Sequence, residues 1–208
     1  MSTVLVLASA SPARRAVLSA AGVQPHVVVS DVDEDAVIAG LPNPDPDEVV
    51  VALAAAKAAD VAGRIADAYD DAVVVGCDSM LLIDGELVGK PGTAETARRR
   101  WQRMAGGTGE LLTGHAVVRL SGGESHRTAE GVASTTIRFG TPDAAELEAY
   151  IGTGEPLSVA GAFTLDGLGG WFVDGVDGDP SSVIGISLPL TRRLLADVGV
   201  SVVTLWRP

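Results

Sequence analysis

Residues 4–18, Val4-Leu5-Val6-Leu7-Ala8-Ser9-Ala10-Ser11-Pro12-Ala13-Arg14-Arg15-Ala16-Val17-Leu18, constrain this chain more than any other stretch. A short aliphatic run, two serines, a proline, two arginines and an apolar tail describe a buried strand that turns into a helix. Ser11 offers an N-cap oxygen, and Pro12 falls at the first helical position, where a missing N–H costs nothing. The helix should start there.

Charge is what does not fit. Arg14 and Arg15 fall in the first turn, where the helix dipole and unpaired N–H groups favour anions over cations. An anion held between those N–H groups, the hydroxyls of Ser9 and Ser11 and the guanidinium groups would turn the mismatch into a binding site, phosphate being the natural candidate. The competing reading is an ordinary capped helix with solvated arginines.

With 208 residues the chain can bury a good core as one domain of two lobes, 1–208. The apolar N-terminal run is too short for a signal peptide or a membrane span, so a cytoplasmic location without membrane attachment is expected. Cys77 is the lone cysteine, and His26, His115 and His126 lack metal-ligand spacing, which excludes a cysteine-based zinc site. The formal net charge of -12 argues against a nucleic-acid track. A small anionic substrate would need a local cluster of cations and a metal ion.

Along the chain, 26–30 reads as a second strand, followed by an acidic loop at Asp31-Val32-Asp33-Glu34-Asp35 that suits a divalent cation or simple solvation. Proline-rich 41–46 is a loop, and 47–64 is an alanine-rich, mostly buried helix carrying Lys57, which should snorkel or meet an anion. The β-branched run 72–77 is an internal strand expected to end at Asp78-Ser79. A carboxylate there is costly unless paired or used, which makes Asp78 the strongest candidate for an acid or base. Residues 80–88 form a hairpin about Asp84-Gly85, followed by Lys90 on a loop, and 93–105 form a helix. Strands are expected over 110–120 and 126–139, joined by a turn at 121–124 as an antiparallel hairpin, then a helix from Thr141-Pro142, glycine-rich loops, a helix over 188–198 and a last strand over 200–205.

Ser9-x-Ser11-Pro12-x-Arg14-Arg15, Val32-Asp33-Glu34, Lys57-Ala58, Gly76-x-Asp78-Ser79, Gly89-Lys90-Pro91, Ala160-Gly161-Ala162 and the segment 185–190 occur in the order found in the Maf family, which the chain resembles over nearly its whole length. The resemblance implies an α/β fold, one two-lobed domain around a mixed, strongly twisted β-sheet flanked by helices, similar to that of inosine triphosphatases. It implies a cytoplasmic nucleoside triphosphate pyrophosphatase, often a homodimer, that uses Mg2+ or Mn2+ and releases a nucleoside monophosphate and pyrophosphate.

By the same resemblance Asp78 matches the family's proton acceptor, with Glu34 and Lys57 beside it. Ser9, Ser11, Arg14, Arg15 and Lys90 match substrate-binding positions, and Glu34 with Asp78 would hold the metal. Whether Asp78 activates water or chiefly binds metal stays open at this stage. Ala13, Ser79 and Asp166 occupy the positions that distinguish the family's branches. They match neither the Arg, Thr and Gln of the thymidine and uridine triphosphate branch nor the Trp, Gln and Glu of the 7-methylguanosine triphosphate branch. No base is therefore named, and a looser choice that includes modified nucleotides is expected. Two rivals are a nucleotide-binding regulator of septum formation that acts through a partner without turnover, and a nucleotidyl transferase.

Overall fold

The computed structural model describes residues 3–122 and 124–207. In chain order the elements are β1 (Val4–Leu7), α1 (Pro12–Ala20), β2 (His26–Val27), α2 (Glu34–Ala39), α3 (Pro46–Ile65), β3 (Asp71–Ile83), β4 (Glu86–Val88), α4 (Ala94–Met104), β5 (Thr108–Ser121), β6 (Glu124–Phe139), α5 (Ala144–Gly152), β7 (Val173–Asp177), α6 (Pro180–Ile184) and α7 (Leu188–Asp197). The sheet runs β2-β1-β3-β5-β6-β7 with β4 on β3. It is mixed: β1 pairs parallel with β2 and β3, whereas β3/β4 and β6/β7 are antiparallel. This is the α/β class expected from the sequence. No helix among the described residues is long and apolar enough to cross a membrane.

The chain divides into two compact units, one of Met1–Asp78, Thr113–Ala133 and Gly185–Pro208, the other of Ser79–Leu112 and Ser134–Ile184. In the first unit strand alternation sends side chains to two cores. Leu5, Leu7, Val73, Val75 and Cys77 pack against Leu18 of α1 and Leu190, Leu194 and Leu195 of α7. Val6, Ala8, Ala72 and Val74 face Ala54, Ala58, Val61 and Ala62 of α3.

Two glycines set how closely α3 lies on that face. A Cβ on Gly76 of β3 would be driven into the Ala54 carbonyl and lie 2.9 Å from the Ala58 nitrogen, and one on Gly114 of β5 would strike the Val50 carbonyl. Helix backbone therefore rests directly on strand backbone.

The second unit has an aromatic core. Fully buried Trp101 meets Phe139, Tyr150 and Phe172 edge-on, with centroids 5.8, 6.1 and 5.9 Å apart, and donates its indole N–H to the Ala162 carbonyl at 2.8 Å. The β3/β4 hairpin turns at Asp84 and Gly85, both at positive φ, as that residue pair favours.

Several expected boundaries move. The strand at 26–30 shortens to His26–Val27. Part of the acidic loop is helix: Asp33 caps α2 by accepting the Ala36 N–H at 3.0 Å, and Glu34 and Asp35 occupy a first turn that favours carboxylates. Strand β3 does not end at Asp78 but runs on to Ile83. Helix α5 starts at Ala144, after the Asp143 cap, because Asp143 and Glu146 form a capping box that Pro142 precedes. Residues 202–205 form a 3-10 turn instead of a strand, burying Leu205 and packing Val202 on the core while Val203 is 57% exposed, a three-residue period. Strand β7 lay hidden in the glycine-rich stretch. The turn expected at 121–124 includes Gly123, outside the described residues.

The backbone contact predicts that Gly76→Ala lowers stability by roughly 1–3 kcal/mol or more, through overpacking against α3. Urea unfolding at neutral pH checks it, and an unchanged midpoint would mean that α3 yields freely.

Candidate active site

Ser9 lies just beyond β1 and is buried, at the carboxyl end of a strand that pairs parallel with β3. Carboxyl ends of parallel strands are where open α/β sheets place ligands. Ser11 caps α1, with its hydroxyl accepting the Arg14 N–H at 3.4 Å. The Ser9 hydroxyl accepts the Ser11 N–H at 3.2 Å and Arg14 Nη1 at 3.0 Å, and Arg14 Nε donates to the Gly185 carbonyl at 2.8 Å. Arg14 thus folds back over the start of its own helix. No acidic residue occupies that first turn. The arrangement concentrates donors where an anion is favoured. Ala13 is half-buried beside it, and Arg15 is exposed.

The second cluster centres on Lys57. Its ammonium lies 2.5 Å from Asp78 Oδ1 and 2.7 Å from Glu34 Oε1. Lys57 and Asp78 side chains are only 10% and 12% exposed, while Glu34 is 54% exposed. Lys57 therefore meets an anion instead of snorkelling, and its charge compensates a carboxylate buried within a strand. That compensation lets β3 continue through Asp78.

Two carboxylates and one ammonium leave one net negative charge at this point. Among the described residues there is no group of three or more His, Cys, Asp or Glu suited to a metal. Two hard oxygen donors do fit Mg2+ or Mn2+, which bind through one or two carboxylates, water and substrate phosphates rather than in an all-protein cage. Glu34 and Asp78 are the residues that would hold such an ion.

Cys77 is fully buried beside Asp78, and burial pushes its thiol up to about 11, with Arg14, Asp78 and Lys57 all close enough to act on it electrostatically. Cys77 itself is a packing residue.

Ser79, Lys90 and Asp166 belong to the second unit. Ser79 is half-buried in β3, directly after Asp78 in the chain. Lys90 is exposed on the loop between β4 and α4, and that loop is pinned: the Gly89 carbonyl accepts the Gly161 N–H at 3.3 Å and a guanidinium N–H of Arg100, and Gly92 N–H donates to the Leu157 carbonyl at 3.0 Å. Ala160-Gly161-Ala162 is thus a buttress, with Gly161 and Ala162 at positive φ. Asp166 is exposed on a bend.

Sequence reasoning missed the Gly185 carbonyl as the anchor of Arg14, and Arg100 as a loop brace. A glycine at φ 125 leaves a trace in the sequence, but its partner is 171 positions away. Nothing in the sequence sets Arg100 apart from its neighbours Arg98, which pairs with Glu148, and Arg103, which pairs with Glu86.

A family model described as Maf-like protein matches residues 4–198. A nucleoside triphosphate pyrophosphatase of Saccharopolyspora erythraea is 67% identical over 204 residues, spanning 98% of this chain and 97% of its own length. Proteins of the same name from Nocardia farcinica and Rhodococcus jostii are 65% and 63% identical, spanning 100% and 98% of this chain and 98% and 96% of their own lengths.

Removing the Lys57 ammonium strands Asp78 without its counter-charge, so Lys57→Ala should cost about 3 kcal/mol in a urea titration, and loss of under ~1 kcal/mol would show that solvent screens Asp78. The raised thiol keeps Cys77 protonated at pH 8. Iodoacetamide should leave it unlabelled in the folded protein and label it in urea, as read by mass spectrometry.

Proposed function

The chain belongs to the Maf-like protein family, and from that premise we propose that it is a nucleoside triphosphate pyrophosphatase, cleaving its substrate to a nucleoside monophosphate and pyrophosphate. The observation that carries the reading is the pairing of Asp78 with Lys57 and Glu34 in a chain whose Arg14 also folds back over a helix N-terminus.

Arg14, Ser9, Ser11 and the start of α1 bind phosphate oxygens through a guanidinium, hydroxyls and backbone N–H groups. The family motif that Lys90 matches supports a phosphate-binding role for it as well. Lys57 fixes Asp78 through Oδ1, so Oδ2 is the oxygen that takes the proton as water attacks the α-phosphorus. The α-phosphorus forms a bond to the water oxygen, the bond to the bridging oxygen breaks, and pyrophosphate leaves in line. Glu34, with Asp78, would hold Mg2+ or Mn2+, which would supply charge neutralisation for the phosphates. Ala13 presents only a methyl group at a position where the family's branches carry Arg or Trp, and this supports a broad choice of base. The family resemblance supports a cytoplasmic setting for the reaction.

Pyrophosphate release from a panel of standard and modified nucleoside triphosphates with Mg2+ or Mn2+ tests the reading. The wild type should turn over several nucleotides, and Asp78→Asn should lose about 100-fold or more in kcat while still binding nucleotide. No release from any nucleotide by folded wild type would overturn the hydrolase.

A further inference from the structure

His115 lies in β5 with no exposed surface. Its Nδ1 is 2.9 Å from the Thr113 carbonyl, and its Nε2 is 2.8 Å from the Ser187 backbone nitrogen. A carbonyl can only accept and an amide N–H can only donate. Nδ1 therefore carries the proton and Nε2 is the acceptor, which fixes one neutral tautomer.

Ser187 is the N-cap of α7, and its hydroxyl accepts the Leu190 N–H at 3.1 Å. The same residue is thus held from two sides, by α7 through its hydroxyl and by His115 through its N–H. Two positions earlier stands Gly185, at φ 125 with its carbonyl aimed at Arg14 Nε. A Cβ on Gly185 would come within 3.2 Å of Arg14 Nε and 3.3 Å of Cγ, so the loop lies directly against the arginine.

We infer that His115 is a positioning residue for phosphate binding: by holding Ser187 it fixes the Gly185 carbonyl that orients Arg14. The inference rests on the reading of Arg14 as a phosphate ligand. A purely structural role would secure the start of α7 and contribute to stability alone, without reaching Arg14. The two differ in what the substrate feels.

The test compares His115→Gln, whose side-chain oxygen reaches the Nε2 position, with His115→Asn, which reaches only the Nδ1 position. Both are made in the wild-type and the Arg14→Gln backgrounds. Readouts are KM and kcat for pyrophosphate release, calorimetric binding of inorganic tripolyphosphate, and the melting temperature. His115→Asn should raise KM and weaken tripolyphosphate binding about tenfold, with His115→Gln within about threefold of wild type. In the Arg14→Gln background His115→Asn should add no further loss, since both changes remove one interaction. A His115→Asn protein that melts lower but keeps wild-type KM and tripolyphosphate affinity overturns the inference, as do additive losses in the double variant. Tripolyphosphate binding that depends on His115 and Arg14 in a wild type without turnover would support the positioning role and sink the hydrolase reading instead.

Discussion

The buried ion pair at the candidate site depends on how closely α3 can lie against the sheet. Gly76 and Gly114 remove the two Cβ atoms that would hold the helix off, and the alanines of α3 complete a face of small side chains. The gain is proximity of backbones rather than hydrophobic area, since alanine contributes little burial per residue. At that distance a lysine from the helix reaches a carboxylate buried in the strand. A larger residue at Gly76 would press on the Ala54 and Ala58 backbone that flanks Lys57 and work against the ion pair.

The cost of that ion pair explains its composition. An ammonium and a carboxylate removed from water lose hydration that their attraction only just repays, and lone survivors are heavily penalised. Glu34 brings a second carboxylate from the first turn of α2, a position the Asp33 cap and the helix dipole already favour. The surplus negative charge sits on the more exposed partner, where water or a cation can meet it. Helix α1 presents the opposite case: its first turn lacks any acidic residue, and Arg14 is bent back into it by Ser9 and Gly185.

Features set by neighbours in sequence were legible from the residues alone. Ser11 before Pro12, Asp84-Gly85 between two strands and the continuous run at 72–77 each carry their structure within a few positions. The site was legible as a set of residue types in a recognisable order, and its geometry was not. Nothing near Lys57 in sequence reveals that a strand 21 positions on supplies its partner. The end of β3 was misplaced for the same reason: a carboxylate looks like a terminus until its counter-charge is known. At 31–35 mutual repulsion suggested a loop, yet one carboxylate in that run was a cap and the next belonged to the first turn it started. In the valine-rich tail, β propensity lost to a three-residue burial period that only packing against the first-unit core creates.

The chain carries a net charge of -12 and is proposed to bind one of the most anionic metabolite classes, which looks contradictory only if the molecule is treated as a uniform body. Over distances beyond a Debye length, about 8 Å at physiological salt, the overall charge is screened, and the local donors decide. Within the first unit those donors come in two kinds. Arg14 with the serines and the helix start offers donors that suit an anion, whereas Glu34 and Asp78 exceed Lys57 by one charge and suit a cation. Neither half alone selects a triphosphate over a sulfate, or a bound magnesium over a hydrated one. A ligand that brings both charges at once, a polyphosphate with its divalent ion, satisfies the two halves together, and its separated components satisfy only one each.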